Sequence, residues 1–180
     1  MKTIGSAIIM LVLTPSLFAD NGKELKLTSP DGTHEIAFYQ KQVSPAVNEL
    51  CYRVDYKSQP VVNESRAGLE LDNRIWEMAL GARNLKQPAC WMDNLEVDSV
   101  TYQPETDITW QPLYGERSSV RDHYRTGTLY LSKKDNSGYR LNIEVRAYNE
   151  GVAFRYFFPE HPKAIFHKVV GDLTEYALPA

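Results

Sequence analysis

Apolar and polar residues alternate along most of the chain from residue 25 onward, and this period of two predicts β-strands with one buried face. The clearest hairpin joins the runs 139–148 and 152–158 through a turn at 149–151. The segment 49–56 has the same alternation, with its arginine and aspartate on the polar face. Further strands are predicted at 25–28, 34–42, 61–62, 68–71, 95–103, 108–112, 124–133 and 174–178.

Turn signals separate these runs. The segment 29–32 (Ser-Pro-Asp-Gly) is a strong turn because proline presets φ and glycine accepts a positive φ. The segment 73–94 has no clean period and contains Gly81 and Pro88, so we expect irregular structure with one helical turn. Many short strands, frequent turns and little helix predict an all-β fold, a single large antiparallel β-sandwich.

The first residues contain a positive charge, an apolar run and a small residue in the order that is typical of a secretory signal peptide. Lys2 is followed by the mainly apolar run 4–13, then by Pro15 and by Ala19 ahead of the first acidic residue. We therefore expect residues 1–19 to be removed after export and residues 20–180 to form the mature domain. The apolar run is too short to span a bilayer, which takes about 20 residues, and no later segment is longer.

The net charge of the chain argues against one class of binding partner. The chain has 20 Lys and Arg against 23 Asp and Glu, a net charge of −3, which becomes one unit more negative when Lys2 is lost with the leader. This mixed, mildly acidic composition offers no basic surface for nucleic acid.

The two cysteines, Cys51 and Cys90, leave two alternatives open. An exported protein can oxidise them to a disulfide, and two buried free thiols fit the sequence equally well. Neither lies in a recognisable nucleophile motif, and no cluster has the spacing of metal ligands. We expect no metal site in this chain.

The densest polar cluster is the segment 110–124, which we predict to be a loop ahead of a strand. It is a candidate domain interface or substrate-proximal surface, since several of its side chains are costly to bury unpaired. The alternative is a solvated loop whose ion pairs contribute about 0–1 kcal/mol each. The candidate residues are Trp110, Tyr114, Glu116, Arg117, Arg121, His123 and Tyr124.

Catalytic residues are not expected in this cluster. Two acidic pairs, Glu116 with Asp122 and Glu105 with Asp107, lie close in sequence, but glycoside hydrolysis needs two carboxyls about 5–9.5 Å apart across a scissile bond. The serines at 118–119 lie near a histidine without a nucleophile-elbow glycine pattern.

Four segments resemble, in order and spacing, the N-terminal domain of glycoside hydrolase family 97. The third reads Trp-Gln-Pro-Leu-Tyr-Gly-Glu-Arg from residue 110, and the fourth reads Arg-Ala-Tyr-Asn-Glu-Gly-Val-Ala-Phe-Arg-Tyr-Phe-Phe-Pro from residue 146. The resemblance covers about residues 25–180, nearly all of the expected mature chain. The four segments are 27–32, 68–71, 110–124 and 146–159.

The resemblance implies a mutarotase-like β-sandwich that packs on a catalytic (β/α)8 barrel. Family members are exported α-glucosidases or α-galactosidases, largely of Gram-negative bacteria, so the periplasm or cell surface is the expected location. They need calcium near the sugar site, and their catalytic carboxylates come from the barrel. The calcium-binding glutamate of this domain aligns beyond residue 180. No catalytic or calcium residue is therefore carried over, and the sandwich is expected to be incomplete at its C-terminal end.

Three functions remain open at this stage. The chain is the N-terminal part of an exported α-glycosidase, with its own barrel and α-linked oligosaccharides as partners. Alternatively, it is a stand-alone carbohydrate-binding module that holds glycans on exposed aromatic rings. The third alternative is a non-catalytic remnant with an uncovered apolar surface.

Overall fold

A computed structural model describes residues 23–79, 81, 90–133, 137–162 and 166–180, without the side chain of Trp76. The predicted signal peptide, 1–19, and residues 82–89 of the segment expected to be irregular lie outside the described residues. The described chain forms ten strands and one helix: β1 (Leu25–Thr28), β2 (His34–Ser44), β3 (Val47–Tyr56), β4 (Gln59–Arg66), β5 (Leu69–Leu71), α1 (Arg74–Ala79), β6 (Leu95–Trp110), β7 (Val120–Lys133), β8 (Arg140–Tyr148), β9 (Gly151–Phe157) and β10 (Val169–Asp172).

Two four-stranded antiparallel sheets pack face to face, so the predicted β-sandwich is confirmed. The first has the order β1-β2-β3-β4 and the second the order β6-β7-β8-β9, while β5 and β10 form a separate pair. Every strand pairs with its neighbour in the chain within the two large sheets. These meander connections explain why alternation and turn signals are enough to indicate the fold.

The core lies between the inner faces of the two sheets. The ring of Phe38 stacks on Tyr52 at 5.4 Å and meets the edge of Phe154, from the opposite sheet, at 5.1 Å. A side chain of this size that leaves water completely contributes about 1.5–3 kcal/mol. The apolar face of β8 is wholly buried and supplies Leu141, Ile143, Val145 and Ala147.

Gly127 of β7 faces Leu25 of β1 across the sandwich. A Cβ at this glycine would come within 3.2 Å of the Leu25 side chain, closer than ordinary packing allows. Because Gly127 has no side chain, Leu25 of β1 can pack directly against the backbone of β7. A larger residue there would require the Leu25 side chain to shift.

Most of the predicted strands are confirmed, with two corrections. The runs 95–103 and 108–112 are one strand, β6, because its register against β7 shifts between Gln103 and Thr106 and pairing then resumes. Pro104 stands within this shift, where a residue without an N–H can be accommodated. The alternation breaks at the shift although the strand does not end.

The second correction concerns the last strand, which lies at Val169–Asp172 and not at 174–178. The segment 173–178 instead runs beside β4 through isolated backbone hydrogen bonds. The Glu175 N–H donates to the Arg66 carbonyl at 2.9 Å, and the Asn63 N–H donates to the Ala177 carbonyl at 2.8 Å. The segment is extended but does not form a continuous ladder of backbone hydrogen bonds with β4.

The helical turn expected within 73–94 is α1, which is six residues long.

Candidate interface on the β6–β7 hairpin

The β6–β7 hairpin extends beyond the rest of its sheet. Pairing of β7 with β8 begins at Tyr124, whereas residues 120–123 of β7 pair with β6 alone. The predicted loop over the segment 110–124 is therefore confirmed only for its middle part, and both ends of the segment belong to strands. Trp110 is the last residue of β6, and Arg121, His123 and Tyr124 lie on β7. The connecting loop is limited to 111–119, where Gly115 takes a φ of 118°.

One face of this extension, which we call the charged face, consists of ion pairs. Arg121 donates two hydrogen bonds to the carboxylate of Asp107, both of 2.7 Å. Glu105 is 2.7 Å from His123 Nε2 and accepts a hydrogen bond of 2.9 Å from Arg125 Nε. These contacts lower the pKa of Asp107, through Arg121, and the pKa of Glu105, through His123 and then Arg125.

The lowered pKa values determine what the acids can do. A general acid for glycoside cleavage needs a raised pKa, so that it still carries a proton near neutral pH. Glu105 and Asp107 have the opposite shift and are engaged by cations on the neighbouring strand. The arrangement is that of a structural ion-pair network, and the histidine nitrogen near Glu105 is directed at that carboxylate and not at the serines of the loop.

Arg125 connects the charged face to the opposite sheet. Its guanidinium donates to Thr28 Oγ1 at 3.4 Å and to the Pro30 carbonyl at 3.5 Å, in addition to Glu105. The base of the extension is thereby tied to the end of β1. Sequence reasoning missed this residue. Strand alternation, which places Arg121, His123 and Arg125 on one face, was the signal that could have found it.

The other face of the extension, which we call the apolar face, is open to solvent. Trp110 stands opposite Val120, and Ile108 lies two pairs further in, opposite Asp122. Trp110 is 50% exposed and Ile108 is 53% exposed. At the tip, Leu113 is wholly exposed and Tyr114 nearly so.

Tyr124 continues this face toward the body of the sheet. Its ring packs 5.2 Å from Tyr148, with an interplanar angle of 51°, and the guanidinium of Arg146 lies 4.3 Å from its centre. The tilt and the covering cation make this pair a poor flat platform for a sugar ring. The two remaining candidates, Glu116 and Arg117, are exposed in the loop.

No described group of three or more His, Cys, Asp and Glu side chains is arranged to hold a metal ion. His161 is buried, and its Nε2 lies 3.0 Å from the Ser137 carbonyl. His167 packs 4.4 Å from Phe158, and burial lowers its pKa.

Both cysteines are free thiols in this structure, the second of the two alternatives. Cys51 is buried on β3, where desolvation raises its pKa to about 11. Cys90 is buried beside β5, with its sulfur 3.8 Å from the Leu69 carbonyl, and burial raises its pKa as well. Neither thiol is prepared for nucleophilic chemistry at neutral pH.

Comparison with known protein families identifies the family of this chain. The family profile described as "Glycosyl-hydrolase 97 N-terminal" matches residues 27–180. The chain belongs to glycosyl hydrolase family 97. Among curated relatives, a retaining alpha-galactosidase of Bacteroides thetaiotaomicron is 27% identical over 180 residues, which are 100% of this chain and 22% of that protein.

Solved family 97 structures have the same fold. A Glycoside Hydrolase Family 97 enzyme from Pseudoalteromonas sp. strain K8, solved in complex with acarbose and, as a variant, with panose, matches with a TM-score of 0.67 and 26% identity. The match covers 86% of this chain and 20% of that chain. A beta-arabinopyranosidase matches in fold with the same TM-score at 19% identity. The chain spans about a fifth of the length of these relatives.

In the described part of the chain, no helix has the length and hydropathy needed to cross a bilayer.

Proposed function

We propose that this chain is the N-terminal sandwich of an exported α-glycosidase and that its β6–β7 hairpin docks on the catalytic barrel of the same protein. The family assignment and the length of the relatives support a larger enzyme around this domain. The relatives that bind panose and acarbose, and the one named as an alpha-galactosidase, support α-linked oligosaccharides as substrates, cleaved by an α-glucosidase or α-galactosidase activity.

The observation that carries the docking role is the hairpin extension with one charged face and one apolar face. A two-stranded ribbon is at best marginally stable by itself in water. Here its charged face is internally paired and tied to β1 through Arg125, while Trp110 and Ile108 on the apolar face are about half exposed. Burial of these two side chains against a barrel would stabilise both the ribbon and the domain contact.

In the proposed enzyme the chemistry belongs to the barrel. One carboxylic acid would protonate the departing glycosidic oxygen, and a second carboxylate would attack the anomeric carbon or activate water. This domain would hold the barrel wall in place and shape the mouth of the sugar site. Calcium would be bound by side chains outside residues 23–180.

Export is part of the same proposal. The order of charge, apolar run and small residue in 1–19 supports cleavage after Ala19 and release into the periplasm or to the cell surface of a Gram-negative bacterium. Sequencing the N-terminus of the protein recovered from the producing cell tests this point. An N-terminus at Met1 in the recovered protein would contradict it.

The docking role is tested by replacing Trp110 in the protein encoded by the whole reading frame and in the 180-residue chain. Trp110→Ala is expected to lower the Tm of the longer protein by about 2–4 °C. The same change in the 180-residue chain should have little effect, because half-exposed surface residues usually contribute less than about 0.5 kcal/mol. Trp110→Phe is the control, since it keeps an aromatic ring in place and should retain most of the docking.

An equal change of Tm in both proteins would contradict docking. Hydrolysis of 4-nitrophenyl α-glucoside or α-galactoside is expected only for the longer protein. Activity of the 180-residue chain would overturn the assignment of catalysis to the barrel. Calorimetric binding of maltotriose by the 180-residue chain would favour the stand-alone binding module instead.

A further inference from the structure

Strand β10 is held on the domain by few contacts. It is four residues long, and its register against β5, its partner in the described part of the chain, shifts between Val169 and Gly171. Val169 and Val170 are 51% and 49% exposed. Short and exposed pairs of strands open at a lower free energy than that of global unfolding. An interaction at the end of β10 therefore has a large influence on whether the pair stays closed.

The side chain of Asn73 makes such an interaction just before β10 begins. It is completely buried, and its Oδ1 accepts a hydrogen bond of 3.2 Å from the Lys168 N–H. Because a backbone N–H can only donate, this bond fixes the orientation of the Asn73 amide. Asn73 Nδ2, which lies 3.3 Å from His167 Nδ1, is then a donor. His167 Nδ1 must accept this bond, so the imidazole is neutral and carries its proton on Nε2.

The surroundings of His167 oppose a positive charge on its ring. The half-buried ring lies 4.4 Å from Phe158, 5.7 Å from Tyr139 and 5.9 Å from Trp91. Burial lowers the pKa of His167 below its usual 6.5, and the nearby His161 lowers it further. Attraction of a cation to the Phe158 ring acts the other way, but burial, His161 and the Asn73 amide all oppose the charge.

The charged groups on the elements around His167 have partners of their own. The Tyr139 hydroxyl donates to Glu77 of α1 at 2.7 Å, and Lys133 Nζ of β7 lies 5.1 Å from the centre of the Trp91 ring. Ahead of α1, the Asp72 carboxylate binds two cations, Arg74 at 2.9 Å and Lys168 at 3.5 Å. The charge that acts on His167 is that of His161, which packs on the same Tyr139 ring at 5.3 Å.

We propose that protonation of His167 in weak acid releases β10 from β5. Solvent supplies the proton to Nδ1, which then donates and no longer accepts, so that it faces the N–H groups of Asn73 Nδ2. The Asn73 amide has to turn away, and its Oδ1 then leaves the Lys168 N–H. The charged ring gains hydration when it moves out with β10. No covalent bond other than this N–H forms, so raising the pH closes the pair again.

The opening is expected to end at Leu173. The Leu173 N–H donates to the Gly68 carbonyl at 2.9 Å, and the Glu175 N–H donates to the Arg66 carbonyl at the same distance. These backbone bonds do not involve the imidazole. The segment 173–178 therefore stays beside β4 while β10 opens, and the change is confined to one edge of the domain.

Hydrogen exchange of single amides in the 180-residue chain measures the opening. A histidine whose pKa is lowered by folding contributes its full stability above pH 6.5, and this contribution is lost as the pH falls from 6.5 toward the folded value. One proton taken up changes the pairing constant by at most about tenfold for each pH unit. The protection factors of the amides in 169–172 should therefore fall about three- to tenfold between about pH 7.5 and pH 5.5.

The amides of the central strand β8 are the internal control for this experiment, and their protection should change little over the same range. Equal protection of β10 at the two pH values would overturn the proposal. A parallel loss of protection in β8 would also overturn it, because the acid would then act on the whole domain and not on β10.

His167→Gln separates the imidazole from other groups that titrate. The glutamine offers an oxygen that can accept from Asn73 but gains no proton in weak acid, so the protection of β10 should become independent of pH. His34→Gln is the matched control, because His34 lies outside this cluster, with its Nδ1 3.1 Å from Thr33 Oγ1. This control should keep the pH dependence of β10. A pH dependence that persists in His167→Gln would overturn the proposal.

Nitrogen-15 NMR of the histidine rings tests the same point without a substitution. At about pH 7.5 the His167 ring should carry its proton on Nε2, and it should titrate below pH 6.5. A proton on Nδ1 at this pH would overturn the proposal, because the ring would then offer Asn73 no acceptor. All three measurements use the 180-residue chain, so their outcome is independent of the proposed docking and catalysis.

Discussion

The hydroxyl of Tyr52 donates a hydrogen bond of 2.6 Å to the backbone carbonyl of Glu175. Tyr52 is 1% exposed, with its ring between Phe38 and Phe154 in the centre of the sandwich. Its polar end therefore reaches from the core to the extended segment that borders β4. Desolvation, together with the ionisable groups nearby, raises the pKa of this phenol to about 12, so the hydroxyl keeps its proton at neutral pH and can donate.

Replacing Tyr52 with phenylalanine should destabilise the protein by about 1 kcal/mol, since the Glu175 carbonyl loses its partner while the ring packing is kept. Urea unfolding of the 180-residue chain measures the change. Tyr56→Phe is the control, because Tyr56 is 39% exposed on the same strand. Equal losses in the two variants would show that the Tyr52 hydroxyl has no particular role in holding the segment.

The same bond illustrates what the sequence could predict. Alternation placed Tyr52 on the buried face of its strand, and the hairpin of β8 and β9 followed from period and turn residues alone. These are local rules that each strand satisfies by itself. The extended course of 173–178 depends on single backbone contacts with β4 from more than a hundred residues earlier, and no local pattern encodes such a contact.

The hairpin extension shows the same limit at the candidate interface. The cluster 110–124 is rich in charged and turn-forming residues, which favours a loop when each position is considered alone. Its two ends belong to strands, and Asp107 and Arg121 form a diagonal ion pair across the ribbon that is visible only after the register is known. The sequence placed the candidate residues in one segment, but it did not indicate their division between a charged face and an apolar face.

The tie between Arg125 and β1 gives a second prediction. Arg125→Gln should cost about 1 kcal/mol, because the guanidinium loses Glu105 and the Thr28 and Pro30 oxygens together. Urea unfolding measures the loss, and faster amide exchange in 106–110 is expected to accompany it. The ribbon would then be held at its base only by strand pairing.

Arg53→Gln is the matched control for this change. Arg53 is as exposed as Arg125, at 39%, but its carboxylate partners Glu35 and Asp55 lie 3.7 and 3.5 Å away on the outer face of the sheet. A surface pair of this kind contributes little, so a loss below about 0.5 kcal/mol is expected. If both arginine variants lose the same stability, Arg125 does not anchor the extension.

The turn between β1 and β2 gives a prediction that depends on pH. The Asp31 carboxylate accepts hydrogen bonds from Ser29 Oγ at 2.6 Å, from the Thr33 N–H at 3.0 Å and from Thr33 Oγ1 at 2.8 Å. The bond from Ser29 contributes most, and together they lower the pKa of Asp31 from 3.8 to about 2. Gly32 completes the turn with a φ of 74°.

A carboxyl whose pKa is lower in the folded state stabilises the fold above its unfolded pKa, and this contribution fades as the pH falls toward the folded value. Asp31→Asn should therefore reduce stability at pH 7. The difference from the unchanged protein should shrink between about pH 4 and pH 2 as the Asp31 carboxyl itself becomes protonated. Thermal unfolding at a series of pH values measures this. Glu96→Gln, at an exposed acid of β6, controls for the loss of one negative charge. A difference that is as large at pH 2 as at pH 7 would show that the ionised carboxylate is not what stabilises the turn.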